Sequence, residues 1–435
     1  MSFQQGLSGL NNSSKSLDVI GNNIANSSTF GAKSSRAEFA DVYAGALNGA
    51  GGSPIGIGVS VSAVAQQFTQ GNITTTDSPM DLAINGGGFF QVSDGKSPVV
   101  YSRNGQFKLS RDGFIVNNDQ LKLLGYPADG TGVIQPGLAK PLQLPTAGIA
   151  PKTTAVVNME FNLDSRAKIT APAAGGITLD NPATYNNATS LTAYDAKGQD
   201  VAVTFYFQKT APAADGSTTY NVFATANGAP FATDSAGAPI AVDALGNPTA
   251  PYTTITFPST GGSPTSPTAQ INMDVPAGVN SLGSPTLAIP GIQFDLTGAT
   301  ENGSSFAVTN LTQDGYAPGQ LSGILIENSG IVMARYSNGQ SKPAGQIELA
   351  NFRNAQGLQP LGGNVWARTF GSGEAVVGVP GDGNLGALKS GALEESNVDL
   401  TGELVNMVTA QRIYQANAQT IKTQDQILQT IVNLR

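Results

Sequence analysis

The sequence predicts a multidomain protein with α-helical coiled-coil termini and mainly-β domains, one of which is inserted in another. All 25 prolines of the 435-residue chain lie between Pro54 and Pro380, so both ends lack the residue that breaks helix interiors. Between the ends, short runs of β-branched and aromatic residues alternate with Gly-containing turns, which indicates strands. At roughly 150 residues per domain, the length suits about three domains.

The C-terminal segment carries the strongest helical pattern. Its mostly apolar residues recur in steps of three and four, as in the seam of a coiled coil. The seam consists of Leu404, Met407, Gln411, Tyr414, Ala418, Ile421, Asp425, Leu428 and Val432. A second line beside it widens the apolar stripe and consists of Val405, Val408, Ile427 and Ile431. The tetrapeptide Ser396–Asp399 has the Ser-x-x-Asp form of a capping box and predicts the start of this helix.

The N-terminal segment repeats this pattern over a shorter length. The same steps connect Leu7, Leu10, Ser14, Leu17, Gly21 and Ile24, with Ile20 alongside. A helix this narrow cannot form a core alone, and two arrangements stay open: a helical hairpin packed on the body, or a coiled coil of the two ends. Because Asn is a poor helix former, Asn22, Asn23 and Asn26 predict a defined helix end, followed by a hinge.

Composition divides the chain into nested layers. Residues 1–30 and 396–435 are assigned to the terminal helical coiled-coil domain, and residues 31–85 and 380–395 to an extended connector. Residues 86–145 and 319–379 are assigned to a first β domain, because strand-like runs flank Asn-Gly turns such as Asn104-Gly105 and Asn338-Gly339. Residues 146–318 are rich in Ala, Thr, Pro, Gly and Ser and predict a β-sandwich or barrel, inserted as an outer domain.

Composition also excludes several classes of function. The chain has no His and no Cys, which excludes His-based acid–base catalysis, thiol catalysis, disulfides and metal sites that use either residue. Only 12% of residues are charged and the net charge is −8 without a basic run, so we expect no nucleic-acid partner. No run of about 18 apolar residues exists, and the first residues do not resemble a secretory signal. We expect a protein that either stays in the cell or leaves by a route without such a signal.

Two motifs that could carry chemistry are better explained by structure. The Gly-rich run Asn85–Phe90 matches neither a phosphate-binding loop nor a dinucleotide fingerprint, and predicts a tight turn entering a strand. The acid pairs Asp77/Asp81 and Glu394/Glu395 arise by chance in a chain with 30 acidic residues. We therefore expect no catalytic residue, no cofactor, no metal and no small-molecule substrate.

Local strings near both ends resemble the bacterial flagellar rod and hook family. Residues 17–26 (LDVIGNNIAN) resemble its N-terminal signature, and residues 101–107 (YSRNGQF) and 125–127 (GYP) resemble its first β domain. Residues 396–400 and 403–412 are similar to its C-terminal signature, and residues 414–428 are most similar to its hook members. The resemblance covers about residues 1–145 and 320–435. One departure is Ala32, where family members commonly carry an aromatic residue, so Phe30 is expected to take over part of that packing.

The resemblance implies a structural, non-enzymatic protein that self-assembles into a curved helical tube, the extracellular hook of the flagellum. As a homopolymer it would act as a universal joint that transmits motor torque from rod to filament during motility. Expected partners are further copies of the chain, the flagellar rod and hook–filament junction proteins, and, during assembly, the hook cap and the type III export apparatus. The alternatives are another axial protein, distal rod or hook-associated, or a secreted β-rich binding protein or enzyme.

The same resemblance assigns roles to residues at both ends. Assembly is assigned to the seams of the terminal helices, at Leu7, Leu10, Leu17, Ile20, Ile24, Leu404, Met407, Val408, Tyr414, Ile421, Leu428 and Val432. The family signature and hinge are assigned to Asn22, Asn23, Asn26, Phe30 and Gly31.

Overall fold

The computed structural model describes residues 2–42, 56, 58–171 and 176–433, with the backbone alone at residue 2 and at residues 431–433. The chain divides into two compact units. Unit 1 contains residues 1–146, 322–335 and 341–435, and unit 2 contains residues 147–321 and 336–340. None of the helices in these described ranges is long and apolar enough to cross a membrane.

The first part of unit 1 begins with helix α1, Ser2–Ala25, and continues with strands. These are β1 (Ser35–Val42), β2 (Gly58–Gln66), β3 (Ile73–Thr75), β4 (Leu82–Asn85), β5 (Phe89–Ser93), β6 (Val100–Ser102), β7 (Lys108–Leu109), β8 (Ile115–Val116), β9 (Lys122–Pro127) and β10 (Lys140–Pro141).

Unit 2 follows and is built from strands with one short 3-10 turn, Pro182–Thr184. The strands are β11 (Val156–Asp164), β12 (Asn187–Tyr194), β13 (Asp200–Lys209), β14 (Thr218–Ala226), β15 (Ala229–Pro230), β16 (Thr253–Phe257), β17 (Ile271–Val275), β18 (Gly278–Val279), β19 (Pro285–Thr286), β20 (Ile289–Asp295), β21 (Thr300–Asn302) and β22 (Ala307–Gln313).

The last part of the chain contains further strands, a 3-10 turn at Ala355–Gly357 and the C-terminal helix α2, Leu400–Asn433. The strands are β23 (Leu321–Ile326), β24 (Ile331–Tyr336), β25 (Ser341–Ile347), β26 (Leu349–Asn351), β27 (Gln359–Gly362), β28 (Val365–Ala367), β29 (Val376–Gly378), β30 (Ala387–Ser390) and β31 (Ala392–Glu394).

A large sheet forms the body of unit 1. Its strands run in the order β23-β24-β25-β9-β5-β6-β28-β27, so segments from both parts of the unit alternate in one hydrogen-bonded path. One core cluster lies around Leu82, Phe90 and Ile347. A second, aromatic cluster places Phe89 edge-to-face with Trp366, with ring centroids 5.9 Å apart.

Unit 2 consists mainly of two five-stranded sheets with a shared core. One sheet runs β17-β20-β11-β21 with β22 paired to β11, and the other runs β12-β13-β14-β15 with β16 paired to β14. Inward-facing residues of both sheets form a single buried cluster, in which the rings of Phe205 and Phe294 stack 4.7 Å apart. The strand interiors therefore follow the in–out alternation of a β-sandwich.

The predicted fold class is confirmed: the domains are mainly β, and a helix lies at each end of the chain. The segment predicted as an extended connector, residues 31–85, contains four paired strands among its described residues. Strand β1 pairs antiparallel with β2, β3 pairs with β31, and β4 pairs with β30. Within this segment, residues 43–55 and 57 lie outside the described residues.

The hairpin predicted at Asn104-Gly105 is wrong, whereas the one at Asn338-Gly339 is confirmed. Strands β24 and β25 pair antiparallel around the second turn, whose Gly339 has φ 81°. By contrast β6 pairs with β5 and β28, and the residues after Gly105 turn away from it. The reason is burial: a Cβ at position 105 would lie 1.6 Å from the carbonyl oxygen of Leu82, so this turn is pressed against β4.

Candidate assembly surface

Helices α1 and α2 lie antiparallel against each other at the two ends of the chain. Gly6 of α1 contacts Ile421, and Asn23, at the other end of α1, contacts Glu403. The glycines in α1 each cost roughly 1 kcal/mol relative to Ala in a helix interior. Two of them permit close approach: a Cβ at Gly6 would lie 3.0 Å from Ile421 Cγ1, and a Cβ at Gly9 would lie 2.8 Å from Asn417 Nδ2.

The cap of α2 lies three residues after the cap that the Ser396–Asp399 box predicts. The helix begins at Leu400, and Asp399 is its cap, because its Oδ1 accepts the backbone N–H of Thr401 at 3.0 Å. The Asp399 carbonyl accepts the first helical bond, from the N–H of Glu403. Ser396 instead accepts the N–H of Val398 within the preceding loop. A carboxylate at this N-terminus is also favoured by the helix dipole.

The contact between the two helices is built from small, polar and isoleucine side chains rather than from a continuous leucine seam. Buried Ser13 donates to the carbonyl of Gly9 at 2.8 Å and lies 3.5 Å from Asn417 Nδ2. Ile20 and Ala410 are buried and line one cavity of about 250 Å³ between the helices and the start of β1. On α2, Glu403, Asn417 and Ile421 contact α1 and Ala410 is buried, and of these four residues only Ile421 belongs to the predicted seam.

The structure distributes the predicted assembly residues over several environments. On α1, Ile20 is buried, Leu7 is exposed, and Leu10, Leu17 and Ile24 are half-buried. On α2, Met407 and Ile421 are half-buried, and the exposed residues are Leu404, Val408, Tyr414 and Leu428. The side chain of Val432 lies outside the described residues. Leu404 thus faces away from α1, and Leu428 lies beyond the part of α2 that contacts α1.

Apolar side chains are exposed on more than one side of α2. Because a helix turns about 100° per residue, Leu404 and Val408 share one side, and Ile413 and Ile427 share another. All four side chains are about half exposed. A helix that is apolar on several sides is typical of a buried helix in a larger assembly. We call this set of four residues the exposed apolar set of α2.

The Asn-rich string after α1 is a network of hydrogen bonds. Asn23 is buried, accepts the N–H of Ser35, and donates to the Ser35 carbonyl and to Glu403. Asn26 donates through its side chain to the carbonyl of Asn22 at 3.0 Å, while Asn22 itself is exposed. The side chains thus close the end of α1 and join it to the first residue of β1. A hinge at this point stays a prediction.

Phe30 and Gly31 lie where the string meets the β body of unit 1. Phe30 is half-buried and its carbonyl accepts Asn364 Nδ2 at 3.1 Å. Gly31 has φ 72°, and a Cβ there would lie 2.5 Å from the backbone nitrogen of Asn104, so only glycine fits. Ala32 is buried beside it.

A buried ion cluster, missed by the sequence analysis, lies next to this string. Glu394 of β31 accepts Lys33 Nζ on Oε1 at 2.5 Å and Arg103 Nη1 on Oε2 at 3.1 Å. Its Oε1 also accepts the N–H of Gly71, and its backbone carbonyl accepts the N–H of Gly31. Lys33 Nζ donates further to the Thr69 carbonyl at 2.8 Å. Four segments far apart in sequence therefore converge on one carboxylate.

Burial governs the protonation of this cluster. Desolvation lowers the pKa of Lys33, and the Glu394 carboxylate acts against that shift. Desolvation likewise lowers the pKa of Arg103, again opposed by Glu394. No local pattern could have revealed the cluster, because Lys33 and Glu394 are 361 residues apart. The sequence predicts no role for Glu394, and in the structure its carboxylate holds Lys33 and Arg103 in place.

Four family models match consecutive parts of the chain. The flagella basal body rod protein model matches residues 3–33, and the flagellar hook protein FlgE/F/G D1 domain matches residues 83–192. The flagellar basal body protein FlaE D2 domain matches residues 162–316, and the flagellar basal body rod FlgEFG protein C-terminal model matches residues 389–434. Together with the terminal helix pair and the β units, they define an axial structural protein of the bacterial flagellum.

Curated relatives specify the family further. Flagellar hook protein FlgE of Salmonella typhimurium is 41% identical over 437 residues, covering 100% of both chains. FlgE of Escherichia coli K12 is 42% identical over 438 residues, also with 100% coverage of both, and that of Borreliella burgdorferi is 30% identical over 460 residues, covering 100% of this chain and 99% of the relative. The chain belongs to the FlgE family of flagellar hook proteins.

A solved structure supports the same fold. The crystal structure of Helicobacter pylori flagellar hook protein FlgE2 superposes with a TM-score of 0.51 at 14% identity, covering 74% of this chain and 100% of that one. FlgE proteins are structural proteins of the extracellular hook and not enzymes, which confirms the predicted class and non-enzymatic nature. Because these matches to hook proteins cover the full length of the chain, the alternative identifications as a rod protein, a hook-associated protein or a secreted binding protein or enzyme are rejected.

Proposed function

We propose that copies of this chain polymerise through their terminal helices into a curved tube, the hook, which acts as a universal joint between rod and filament. The observation that carries this proposal is the exposed apolar set of α2, whose four side chains remain about half exposed in the described chain. Burying one such side chain contributes roughly 1.5–3 kcal/mol. A neighbouring copy that covered several of them would offset a large part of the cost of association.

The unequal lengths of the two helices support contact with another copy. With 34 residues α2 is about 51 Å long, whereas the 24 residues of α1 span about 36 Å. Since Gly6 lies against Ile421, the described part of α1 leaves the last turns of α2 without a partner helix. Ile427 and Leu428 lie in those turns and are about half exposed. The overhang is therefore suited to packing between neighbouring subunits.

Low charge on α2 supports the same proposal. Between Leu400 and Asn433 only Glu403, Arg412, Lys422 and Asp425 carry charge. Exposed Gln, Asn and Thr side chains occupy much of the remaining surface. Few ions would need to be desolvated when such helices pack side by side, and little like-charge repulsion would oppose a tight array.

The assignments of finer roles belong to this proposal. Unit 2 would be an inserted outer module, since residues 147–321 interrupt unit 1 as one long segment. The ends of the tube would meet the rod and the hook–filament junction proteins. During assembly the chain would meet the hook cap and leave through the type III export apparatus. Family membership supports these partners, and no small-molecule substrate or nucleic acid is part of the proposal.

The test uses a charge in the overhang of α2. Leu428→Asp changes a side chain that is 51% exposed in the single chain, so the β units should melt at the wild-type temperature. In a polymer the same position would bury a carboxylate at a cost of several kcal/mol, and assembly should be lost.

The matched control is Leu428→Met, which keeps volume and apolarity and should assemble normally. Electron microscopy and sedimentation of the full-length proteins report the outcome. Tubes from Leu428→Asp that match wild type would refute the assembly role of this overhang.

A further inference from the structure

A turn in unit 1 holds one aromatic side chain fully in solvent. Phe370 is exposed to the full extent expected of a free phenylalanine (105%), whereas the other aromatic residues nearby, Phe352 and Trp366, are buried. An isolated aromatic ring gains nothing in this position within a single chain, because its apolar surface stays in water.

The turn that carries Phe370 is rigid. The Thr369 Oγ1 accepts the N–H groups of Gly371 and Ser372, and donates to the Gly357 carbonyl. The Ser372 Oγ accepts the Thr369 N–H at 3.0 Å and donates to its carbonyl at 2.9 Å. These bonds fix the backbone on both sides of the ring. Because the backbone of this turn is already ordered, it would lose little conformational entropy when another molecule packs on Phe370. A smaller entropy loss favours binding.

The same unit contains a groove that could receive such a ring. It lies between β26, β29 and the loop at residues 382–385, and has a volume of about 440 Å³. Its walls include Phe352, Val376, Val377 and Leu385. Val376 and Val377 are largely exposed, at 66% and 49%. The described chain therefore leaves both an apolar knob and an apolar groove uncovered.

Charges beside the knob and the groove are complementary. Arg368 and Glu374 flank the Phe370 turn and form an ion pair on its surface. Arg353 and Asp382 lie at the groove and are exposed. Each side thus presents one charge of each sign, so in one of the possible orientations of a seated turn opposite charges would face each other. Such an arrangement selects orientation more than it adds affinity.

We propose that Phe370 of one copy inserts into the groove formed by β26, β29 and the loop at residues 382–385 of a neighbouring copy. The inference rests on the proposed polymerisation, and adds a second contact that is separate from the terminal helices. Knob and groove are different features of one chain, so a head-to-tail contact between them leaves one of each free for a further copy. An open, repeating contact of this kind is the type that builds a tube rather than a closed dimer.

Site-specific crosslinking tests the contact, because the natural chain has no cysteine. Gly371→Cys places a thiol beside Phe370 without removing it, and a Cβ there meets nothing closer than 3.5 Å. Asn384→Cys places the second thiol at the exposed rim of the groove. The full-length double variant is assembled and treated with a short bis-maleimide. We expect a ladder of covalent oligomers, and a covalent dimer when the two single variants are mixed before assembly.

Two further variants keep the test decisive. Phe370→Ala in the double-cysteine background should abolish the ladder, and alone it should raise the critical concentration for polymerisation about tenfold, as loss of one buried aromatic anchor does. Phe370→Trp keeps an aromatic knob and should polymerise near the wild-type concentration. Both should melt as wild type does, since the ring has no partner within its own described chain.

The outcomes separate this inference from the proposed function. Wild-type protein that forms no polymer under any condition would refute the proposed function. Polymer that forms from the double variant without crosslinks, or polymer whose critical concentration Phe370→Ala leaves unchanged, would refute the knob-and-groove contact alone. Should the cysteine variant fail to assemble, the comparison of Phe370→Ala with Phe370→Trp still decides the question.

Discussion

The Nζ atom of Lys33 lies 2.5 Å from Oε1 of Glu394, and both side chains are fully buried. With Arg103 on the other carboxylate oxygen, the pair joins the segment after α1, strand β31 and the residue after β6. Buried charges are costly to desolvate, and their pairing only compensates when the hydrogen bonds are complete. The backbone donor Gly71 and the acceptors Thr69 and Gly86 provide several of the remaining bonds.

Removing the shared acceptor should strongly destabilise unit 1. Glu394→Gln leaves Lys33 and Arg103 buried without their counter-ion, and we expect a loss of about 3–5 kcal/mol in the free energy of unfolding. Chemical denaturation of the purified chain measures this. Arg36→Ala is the control, because the Arg36–Glu38 pair is largely solvent-exposed and should contribute less than about 1 kcal/mol. Equal effects of the two substitutions would contradict the importance of burial here.

Replacement by alanine should affect the stability of α1 differently at Gly21 and at Gly9. Gly21 has open space around its Cα, so Gly21→Ala should stabilise the helix by about 1 kcal/mol. Gly9→Ala gains the same helix propensity but pushes on Asn417, 2.8 Å away, and we expect the packing cost to cancel or exceed that gain. Hydrogen exchange of α1 amides in assembled protein measures the difference. Equal protection in both variants would contradict the close helix contact.

Asp195 should make the stability of unit 2 depend on acid pH. Burial alone would raise the pKa of Asp195, but the backbone N–H groups of Leu287, Gln199 and Lys197 outweigh it and hold the pKa below the usual 3.8. A lowered folded-state pKa means that stability is present above pH 3.8 and is lost as the pH falls through the folded value. Asp195→Asn places an amide donor against the Leu287 N–H and should cost about 2 kcal/mol at neutral pH.

The stability of wild type and that of Asp195→Asn should converge as the pH is lowered below 3.8, because the wild-type carboxylate is then progressively protonated. Thermal unfolding across pH measures this convergence. Asp215→Asn is the matched control: this exposed aspartate accepts hydrogen bonds from Ser217, two residues further on, and its replacement should leave the stability of unit 2 close to that of wild type. A gap between wild type and Asp195→Asn that does not depend on pH would contradict the assignment.

Unit 2 should be removable without unfolding unit 1. Ile149 and Gly319 exchange both backbone hydrogen bonds, at 2.8 and 3.1 Å, so the two chain ends lie side by side there. Replacing residues 149–319 by a two-residue Gly-Gly turn should close the gap at small entropic cost. We expect cooperative melting of the remainder and assembly into tubes with altered curvature or stiffness, measured by electron microscopy and a motility assay. Failure of the shortened chain to fold would refute the nested-domain interpretation.

Both terminal helices were predictable because their signals are local. Absence of Pro, apolar steps of three and four, and an Asn-rich stop need no knowledge of distant residues. The face of α2 that meets α1 was not predictable in this way. The polar side chain of Asn417 packs beside Gly9 and Ser13, so polar residues take part in the contact with α1. Leu404 and Val408 lie outside this contact and stay exposed. A heptad pattern identifies where apolar residues lie, and does not specify which chain will cover them.

The sequence by itself determined the helical ends, the β character of the middle and the exclusion of His and Cys chemistry, since each follows from composition or short-range periodicity. Tertiary structure alone decided what converges on Glu394, why Gly105 is buried rather than at a hairpin tip, and that Phe370 stands free in solvent. These features depend on contacts between segments that are tens to hundreds of residues apart. Their geometry is set by the packing of whole strands, which no local pattern encodes.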